Sequence, residues 1–363
     1  MEKSKHNGII SFWKFMFCLL IMGLHVAEAI IGNKNLKTNA TIIFWAGSIG
    51  VEFFFLVSGY LLGKKAMNTE NKGDLGEATY HFIKKKVGSF FPYILLTFIV
   101  AVPVYYSLQN LQKSDLVNSV WDLLLLTISG MRYHRFLGVV WYISAMLLCM
   151  ILLFPLIVKY KKKFTYIIGP LIVILISGYI GKEYGNIANP WLWNGFVYKG
   201  LIRAFFEISL GVLLYSFTEK IKKVKFTKLS RILLTVIEIV GFTSIFFIVN
   251  LKDAHSKYDY IMILLLSISI SLAFSEKTLL LKFCNNKIFY FLEKLSLPMY
   301  LNHKWIVELM NYVLVKNGIK EVNYYIELLV AIVISAIVSI IMINIIRFAK
   351  KILPKVKRAF IET

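Results

Sequence analysis

Ten long apolar segments follow one another along the chain, and they exclude a water-soluble fold. They lie near residues 9–31, 41–62, 87–107, 138–158, 164–181, 200–217, 229–250, 259–275, 294–316 and 324–348. A helix needs about 20 apolar residues to cross the hydrocarbon core of a bilayer. Hydrophobic residues make up 58% of the chain, and the mean hydropathy is +0.68. We therefore predict an all-α polytopic membrane protein with about ten transmembrane helices, in which residues 1–363 form a single transmembrane domain.

The basic residues predict how this domain lies in the membrane. The net charge is +22, and dense clusters of Lys and Arg follow the second, fourth, sixth and last apolar segments. The positive-inside rule places these clusters, and with them both termini, on the cytoplasmic side. The segment 117–128 carries Asp122 and is too short to cross, so we predict an interfacial or re-entrant element there. The charge requires no nucleic acid, and we expect contact with the lipids of a cell (plasma or inner) membrane.

Two basic side chains lie inside the first apolar segment. His25 follows Lys14 by eleven residues, so both face the same side of a helix at about 16 Å from each other. Ionisable groups within a membrane span are costly and mark candidate functional sites. Glu28, one turn beyond His25, could orient the imidazole as a general base. We predict that His25 is catalytic, whereas Cys18 among apolar neighbours is expected to serve packing.

A carboxylate and a group of cations follow in the next part of the chain. Glu52 lies among aromatic residues in Gly50–Leu62, where an unpaired charge would be costly. We expect it to meet Lys14, His25 or another buried cation. A structural and a catalytic role both stay open, and Glu52 is kept as a candidate catalytic residue. The cluster Lys84–Lys86 suits the phosphates of a cytoplasmic ligand, although membrane anchoring alone would produce it as well.

These features and three later ones occur in an order that resembles the acyltransferase-3 family of integral membrane acyltransferases. The resemblance covers about residues 9–348 and rests on six motifs: Lys14 ahead of His25, Gly50–Leu62, Lys84–Pro92, Trp141–Ala145, Arg203–Gly211 and Leu295–His303. Each motif alone is loose, but their order and spacing together are fairly specific. Three departures are Lys14, where the family usually has arginine, Ser89, where members often carry another arginine, and a fourth span that lacks the glutamate of the form W-S-L-x-x-E.

The resemblance implies a ten-helix enzyme that takes an acyl group, usually acetyl, from cytoplasmic acyl-CoA. The group passes to a hydroxyl of a cell-envelope glycan or lipid-linked saccharide on the other face. Acetyl-CoA is then the donor substrate. The family's first-span histidine corresponds to His25, its first-span arginine to Lys14, and its basic pair beyond the second span to Lys85 and Lys86. These cations would hold the coenzyme's phosphates while the thioester reaches His25.

Four residues of later segments are candidates for binding the acceptor substrate: Trp141, Tyr142, Arg203 and His303. Aromatic rings beside cations suit a carbohydrate or a lipid phosphate, although an interfacial aromatic belt explains such rings almost as well. Arg203 and Glu207 are also spaced for an i, i+4 salt bridge. His303 is either functional or a hydrogen-bonded core histidine. Further candidates in the outer segment 108–137 are Arg132, His134 and Arg135.

A different class of protein stays open as an alternative: a transporter or flippase for a polysaccharide or lipid-linked glycan intermediate. Secondary transporters often contain internal repeats, and the absence of a repeat in this sequence favours the enzyme. No G-x-S-x-G motif occurs, so direct transfer is favoured, while a covalent relay through another side chain stays open. The three cysteines lack metal-binding spacing, and we expect no metal.

Overall fold

The computed structural model of the protein describes residues 7–33, 36–38, 44–70, 73–109, 113–131, 137–251 and 253–361. Most of these residues lie in ten long helices: α1 (Gly8–Gly32), α2 (Ile49–Met67), α3 (Leu75–Gln109), α4 (Trp141–Lys159), α5 (Gly169–Tyr184), α6 (Lys199–Lys223), α7 (Lys228–Ile248), α8 (Asp259–Ser275), α9 (Lys287–Lys316) and α10 (Tyr324–Ile361). Short helical turns cover Lys113–Asn118, Val120–Leu123, Gly138–Val140, Lys161–Lys163, Phe164–Ile168, Ala254–Lys257 and Leu280–Cys284. Strands β1 (Lys37–Thr38) and β2 (Glu321–Val322) pair in parallel. The predicted all-α class is confirmed.

Length and hydropathy identify the helices that can cross a membrane. Among the described residues, seven helices are long and apolar enough: α1, α3, α4, α5, α6, α7 and α10. The other three predicted spans overlap α2, α8 and α9, which are shorter or carry more charge. The second span was predicted to start at residue 41, but α2 begins at Ile49, after a turn. The protein is therefore a polytopic membrane protein, while ten spans and two cytoplasmic termini stay predictions. The segment 117–128 contains only short helical turns, which cannot cross a bilayer.

Helix α1 runs parallel to α9, and this pairing positions the first motif. Near the start of α1, Lys14 Nζ lies 2.5 Å from Glu293 Oε1. One turn later, the Cys18 thiol donates to the carbonyl oxygen of Ser296 at 3.3 Å. Beyond the other end of both helices, β1 pairs with β2. Side chains of α1 therefore face side chains at the same depth on α9.

Helices α2 and α6 cross at a pair of glycines. A Cβ atom added at Gly59 would overlap the carbonyl oxygen of Ile208, and one added at Gly211 would lie 2.8 Å from the Cα of Gly59. Small residues allow transmembrane backbones to approach this closely. The close approach brings Glu52 of α2 into contact with Arg203 of α6.

Lysines collect at one end of the bundle, which we call the basic end. A cavity of about 190 Å³ at this end is lined by Lys14, Lys64 and Lys222, which come from α1, α2 and α6. Lys161 Nζ donates to the carbonyl oxygen of Thr69 at 2.6 Å, so the clusters that follow α2 and α4 share the same end. The opposite end, where α1 finishes and α6 begins, is called the far end. A cytoplasmic basic end is the orientation that the positive-inside rule predicts.

Candidate functional site

Lys14 is paired with an acidic residue of α9 at the basic end. Glu293 Oε1 lies 2.5 Å from Lys14 Nζ, and Glu293 Oε2 accepts a hydrogen bond from the Ser11 hydroxyl at 2.6 Å. Glu293 directly precedes the apolar segment 294–316, so hydropathy gave no reason to include it in a site. Its carboxylate offsets much of the charge of Lys14, and an anionic ligand would have to share that lysine with it.

A cavity of about 330 Å³ opens beside this ion pair, between α1, α2, α3, α4 and α9. Its charged entrance is formed by Lys14, Lys86 and Glu293, while Lys85 is exposed on α3. The remaining lining is aromatic, apolar or hydroxyl-bearing: Phe54, Val57, Ser58, Leu61, Ser89, Phe90, Tyr142, Ile143, Met146, Ser296, Leu297 and Tyr300. A charged entrance with an apolar interior suits a ligand that has an anionic head and a thin, less polar arm.

Two tyrosines form the inner wall of this cavity. The hydroxyl oxygen of Tyr142 lies 3.1 Å from Ser58 Oγ, and the Tyr300 hydroxyl donates to the carbonyl oxygen of Val139 at 2.8 Å. The two rings meet edge to face, with 6.0 Å between their centroids. Because both hydroxyls are hydrogen-bonded and both rings are packed, this wall has a defined shape. Of the four residues predicted to bind the acceptor substrate, Tyr142 is the one that lines this cavity.

His25 of α1 and His303 of α9 stack on each other. Their ring centroids are 5.1 Å apart, with 27° between the ring planes. His25 Nδ1 lies 2.7 Å from Glu28 Oε2, as expected from the sequence. Because an ionised carboxylate only accepts hydrogen bonds, Nδ1 carries the proton and Nε2 of the neutral ring keeps a lone pair. In the neutral ring, this is the tautomer that leaves Nε2 able to accept a proton.

His303 and Tyr300 connect the cavity to His25. The Tyr300 ring lines the cavity and lies 5.8 Å from the His303 ring, measured between centroids. His303 is fully buried, and its ring nitrogens form no hydrogen bond of good geometry with the described residues. Since α1 separates Lys14 from His25 by about 16 Å, the site extends from cations at the basic end to an imidazole pair deeper in the bundle.

A separate buried cluster lies nearer the far end than the cavity does, and it contains Glu52, Trp141 and Arg203. The Arg203 guanidinium forms ion pairs with Glu52 and with Glu207, whose Oε1 lies 3.3 Å from Arg203 Nε. It also lies 5.6 Å from the centroid of the Trp141 ring. The expectation that Glu52 meets a buried cation is confirmed. None of these residues lines the cavity, so the surroundings favour a structural role for Glu52 and Arg203 over catalysis or acceptor binding.

Comparison with known proteins identifies the family. The family model described as an acyltransferase domain, acyltransferase-3, matches residues 7–344, nearly the whole chain. The chain belongs to the acyltransferase-3 family. It is accordingly a membrane acyltransferase. No curated protein and no solved structure matches it.

One buried cation of this acyltransferase was not predicted from its sequence. Lys199 is fully buried at the start of α6. Its ammonium group donates to the carbonyl oxygen of Ala188 and to Asn186 Oδ1, the latter at 3.2 Å, and lies 4.9 Å from the centroid of the Tyr184 ring. The sequence did offer a signal, because Lys199 lies one helical turn before Arg203. It was missed because the predicted apolar segment began at residue 200, so Lys199 was counted as lying outside the membrane. Lys199 anchors the loop between α5 and α6 to the cluster around Arg203.

Some predictions about the acyltransferase concern residues without a described position. Arg132, His134 and Arg135, the further acceptor candidates, lie outside the described residues. Across the described ranges, no group of three or more His, Cys, Asp and Glu side chains is arranged to hold a metal ion. The candidate site consequently consists of the Lys14 entrance, the aromatic cavity and the two stacked histidines.

Proposed function

We propose that this membrane acyltransferase moves an acetyl group from cytoplasmic acyl-CoA to a hydroxyl of an extracytoplasmic or lipid-linked glycan, with His25 as the general base. One observation carries the proposal: a cavity that begins at Lys14 and Lys86 ends at Tyr300, which contacts the stacked pair of His303 and His25. This succession supplies a basic entrance, a largely apolar cavity and a titratable group in the order that such a donor requires.

The coenzyme's phosphates would bind at the basic end. Lys86 lines the cavity entrance, and Lys85 is exposed beside it on α3. Lysine binds phosphate as a point charge without the bidentate geometry of arginine. Glu293 weakens the attraction of Lys14 for a polyanion, so Lys86 and Lys85 would contribute most of the favourable electrostatic energy. Binding of this kind should weaken as the salt concentration rises.

The acyl group would be transferred directly. His25 Nε2 accepts the proton of the acceptor hydroxyl, and the oxygen attacks the thioester carbonyl carbon. The new carbon–oxygen bond forms while the carbon–sulfur bond breaks, and the coenzyme leaves as a thiolate that takes up the proton. Glu28 holds the imidazole in the required tautomer and stabilises its protonated form. His303, packed against His25 and Tyr300, would orient the acceptor hydroxyl in this scheme.

The test uses purified protein in detergent with acetyl-CoA that carries a label in the acetyl group. Loss of thioester and transfer of label to crude envelope glycan are followed for wild type, His25→Ala and the control His81→Ala. His81 is exposed on α3 and pairs with Glu77, so its removal should leave transfer unchanged. We expect His25→Ala to lose at least about a hundredfold in rate while retaining coenzyme binding.

Two outcomes would contradict the proposal in different ways. Undiminished transfer by folded His25→Ala would remove His25 from the chemical step but leave the donor assignment intact. Failure of the wild type to bind acetyl-CoA or to move the label, under conditions in which a related enzyme is active, would refute the donor itself. In that case, a transporter of glycan intermediates would become the working model.

A further inference from the structure

Three side chains at the far end form a hydrogen-bonded chain that neither the cavity nor the histidine pair includes. Ser48, at the N-terminal boundary of α2, has its Oγ 2.9 Å from His255 Nε2. His255, in the short helix Ala254–Lys257, has its Nδ1 2.8 Å from Asp259 Oδ1. Ser48 and His255 are 207 residues apart in the sequence, so the arrangement is created by the fold.

The hydrogen bonds that connect these three side chains have a fixed donor-to-acceptor direction. Asp259 is 3% exposed, and its second oxygen, Oδ2, accepts a hydrogen bond from the backbone amide of Ile187 at 2.8 Å. Because the carboxylate can only accept, His255 Nδ1 must carry its proton towards Asp259. The neutral ring then has its lone pair on Nε2, where it accepts the hydroxyl proton of Ser48. A nucleophile, a base and a carboxylate that orients the base are thereby connected in sequence.

This arrangement is accessible and is separate from His25. The His255 side chain is 18% exposed, and Ser48 is partly exposed. A Cβ atom at Gly47, next to Ser48, would meet Leu20 and Leu24 of α1. His25 instead stacks on α9, about 100° further round the α1 helix than Leu24. The hydroxyl of Ser48 that His255 Nε2 contacts therefore lies on a different side of α1 from the His25 ring.

We propose that Ser48, His255 and Asp259 form a second, esterase-type site that acts on O-acyl esters reaching the far end. Ser48 Oγ attacks the ester carbonyl, and its proton passes to His255 Nε2. The ester carbon–oxygen bond breaks, the alcohol leaves with that proton, and the acyl group remains on Ser48. Water then attacks the acyl-serine, His255 accepts its proton and returns it to Ser48, and the carboxylic acid is released. Asp259 acts as a positioning residue through His255.

The test is covalent labelling of purified full-length protein in detergent with a fluorophosphonate, a reagent that reacts with activated serines. The modified residue is located by mass spectrometry of proteolytic peptides. The variants are Ser48→Ala, His255→Gln and Asp259→Asn. The control is Ser256→Ala, because Ser256 neighbours His255 but donates only to the carbonyl oxygen of Asp253 among its described contacts.

We expect one adduct on Ser48 in the wild type and in Ser256→Ala. The labelling rate should fall by about a hundredfold or more in His255→Gln, which keeps a polar group but provides no base. Asp259→Asn should slow labelling while the folded fraction, measured by size-exclusion chromatography, stays unchanged. Hydrolysis of p-nitrophenyl acetate should follow the same order among the variants.

Either of two results would overturn the proposal. The first is folded wild-type protein without an adduct on Ser48. The second is an adduct that forms equally fast in His255→Gln, since the imidazole would then contribute nothing to reactivity. In both cases, the three side chains would be a structural connection between α2 and α8. Both results concern Ser48 alone and leave the acetyl-transfer assay with His25→Ala unaffected.

Discussion

Replacing Arg203 by methionine should strongly destabilise the protein, because two buried carboxylates would lose their counter-charge. The Arg203 side chain is 1% exposed, and those of Glu52 and Glu207 are 0% exposed. Removing one partner of a buried ion pair costs about 3–5 kcal/mol, since the remaining charge stays uncompensated in a poorly polarisable interior. At about 2 °C per kcal/mol for a long chain, the midpoint of thermal unfolding should fall by about 6–10 °C.

The matched control is an exposed ion pair. Lys257 Nζ lies 3.5 Å from Asp253 Oδ2, with side-chain exposures of 60% and 50%. Such pairs contribute about 0–1 kcal/mol, so Lys257→Met should lower the midpoint by about 2 °C at most. The assay heats each detergent-solubilised variant and measures the monodisperse fraction by size-exclusion chromatography. If Arg203→Met and Lys257→Met unfold at the same temperature, the argument from burial is wrong.

A second pair of variants separates stability from catalysis at the same cluster. Glu52→Gln leaves Arg203 paired with Glu207, and combining it with Arg203→Met should cost less than the sum of the two single changes, because the residues share one network. Since Glu52 does not line the cavity, acyl transfer per folded molecule of Glu52→Gln should stay close to wild type well below the unfolding temperature. Loss of transfer by the folded variant would restore the catalytic role considered from the sequence.

Two further changes test the cavity entrance and the helix crossing. Glu293→Gln removes the negative charge beside Lys14 and should tighten acyl-CoA binding about two- to fivefold, measured by calorimetry at low salt; weaker binding would show that Glu293 assists the donor. Gly59→Leu should abolish the monodisperse peak in size-exclusion chromatography, because its side chain would collide with α6. Gly88→Ala, which meets no atom within 4 Å, should leave that peak unchanged.

Much of the architecture could be read from local sequence alone. Each of the ten apolar segments overlaps a long helix, because a bilayer requires apolar side chains and internally satisfied backbone groups over a continuous stretch. Helical periodicity also placed Lys14 and His25 on one side of α1, where both face α9. The proximity of Glu28 to His25 followed from the spacing of one helical turn. These inferences needed only the geometry of a single helix.

Contacts between distant segments were decided by the tertiary structure. The sequence required a cationic partner for Glu52 but could not show whether that partner is Lys14, His25 or Arg203. The partner is Arg203, because α2 and α6 pack closely at Gly59 and bring the two side chains together. Glu293 joined the entrance because α1 and α9 run parallel. The sequence therefore determined which segments are helical and which charges need partners, since both depend on neighbouring residues and the membrane environment. Helix packing determined which partners meet, because hydropathy and periodicity specify a face of a helix but not what lies opposite it.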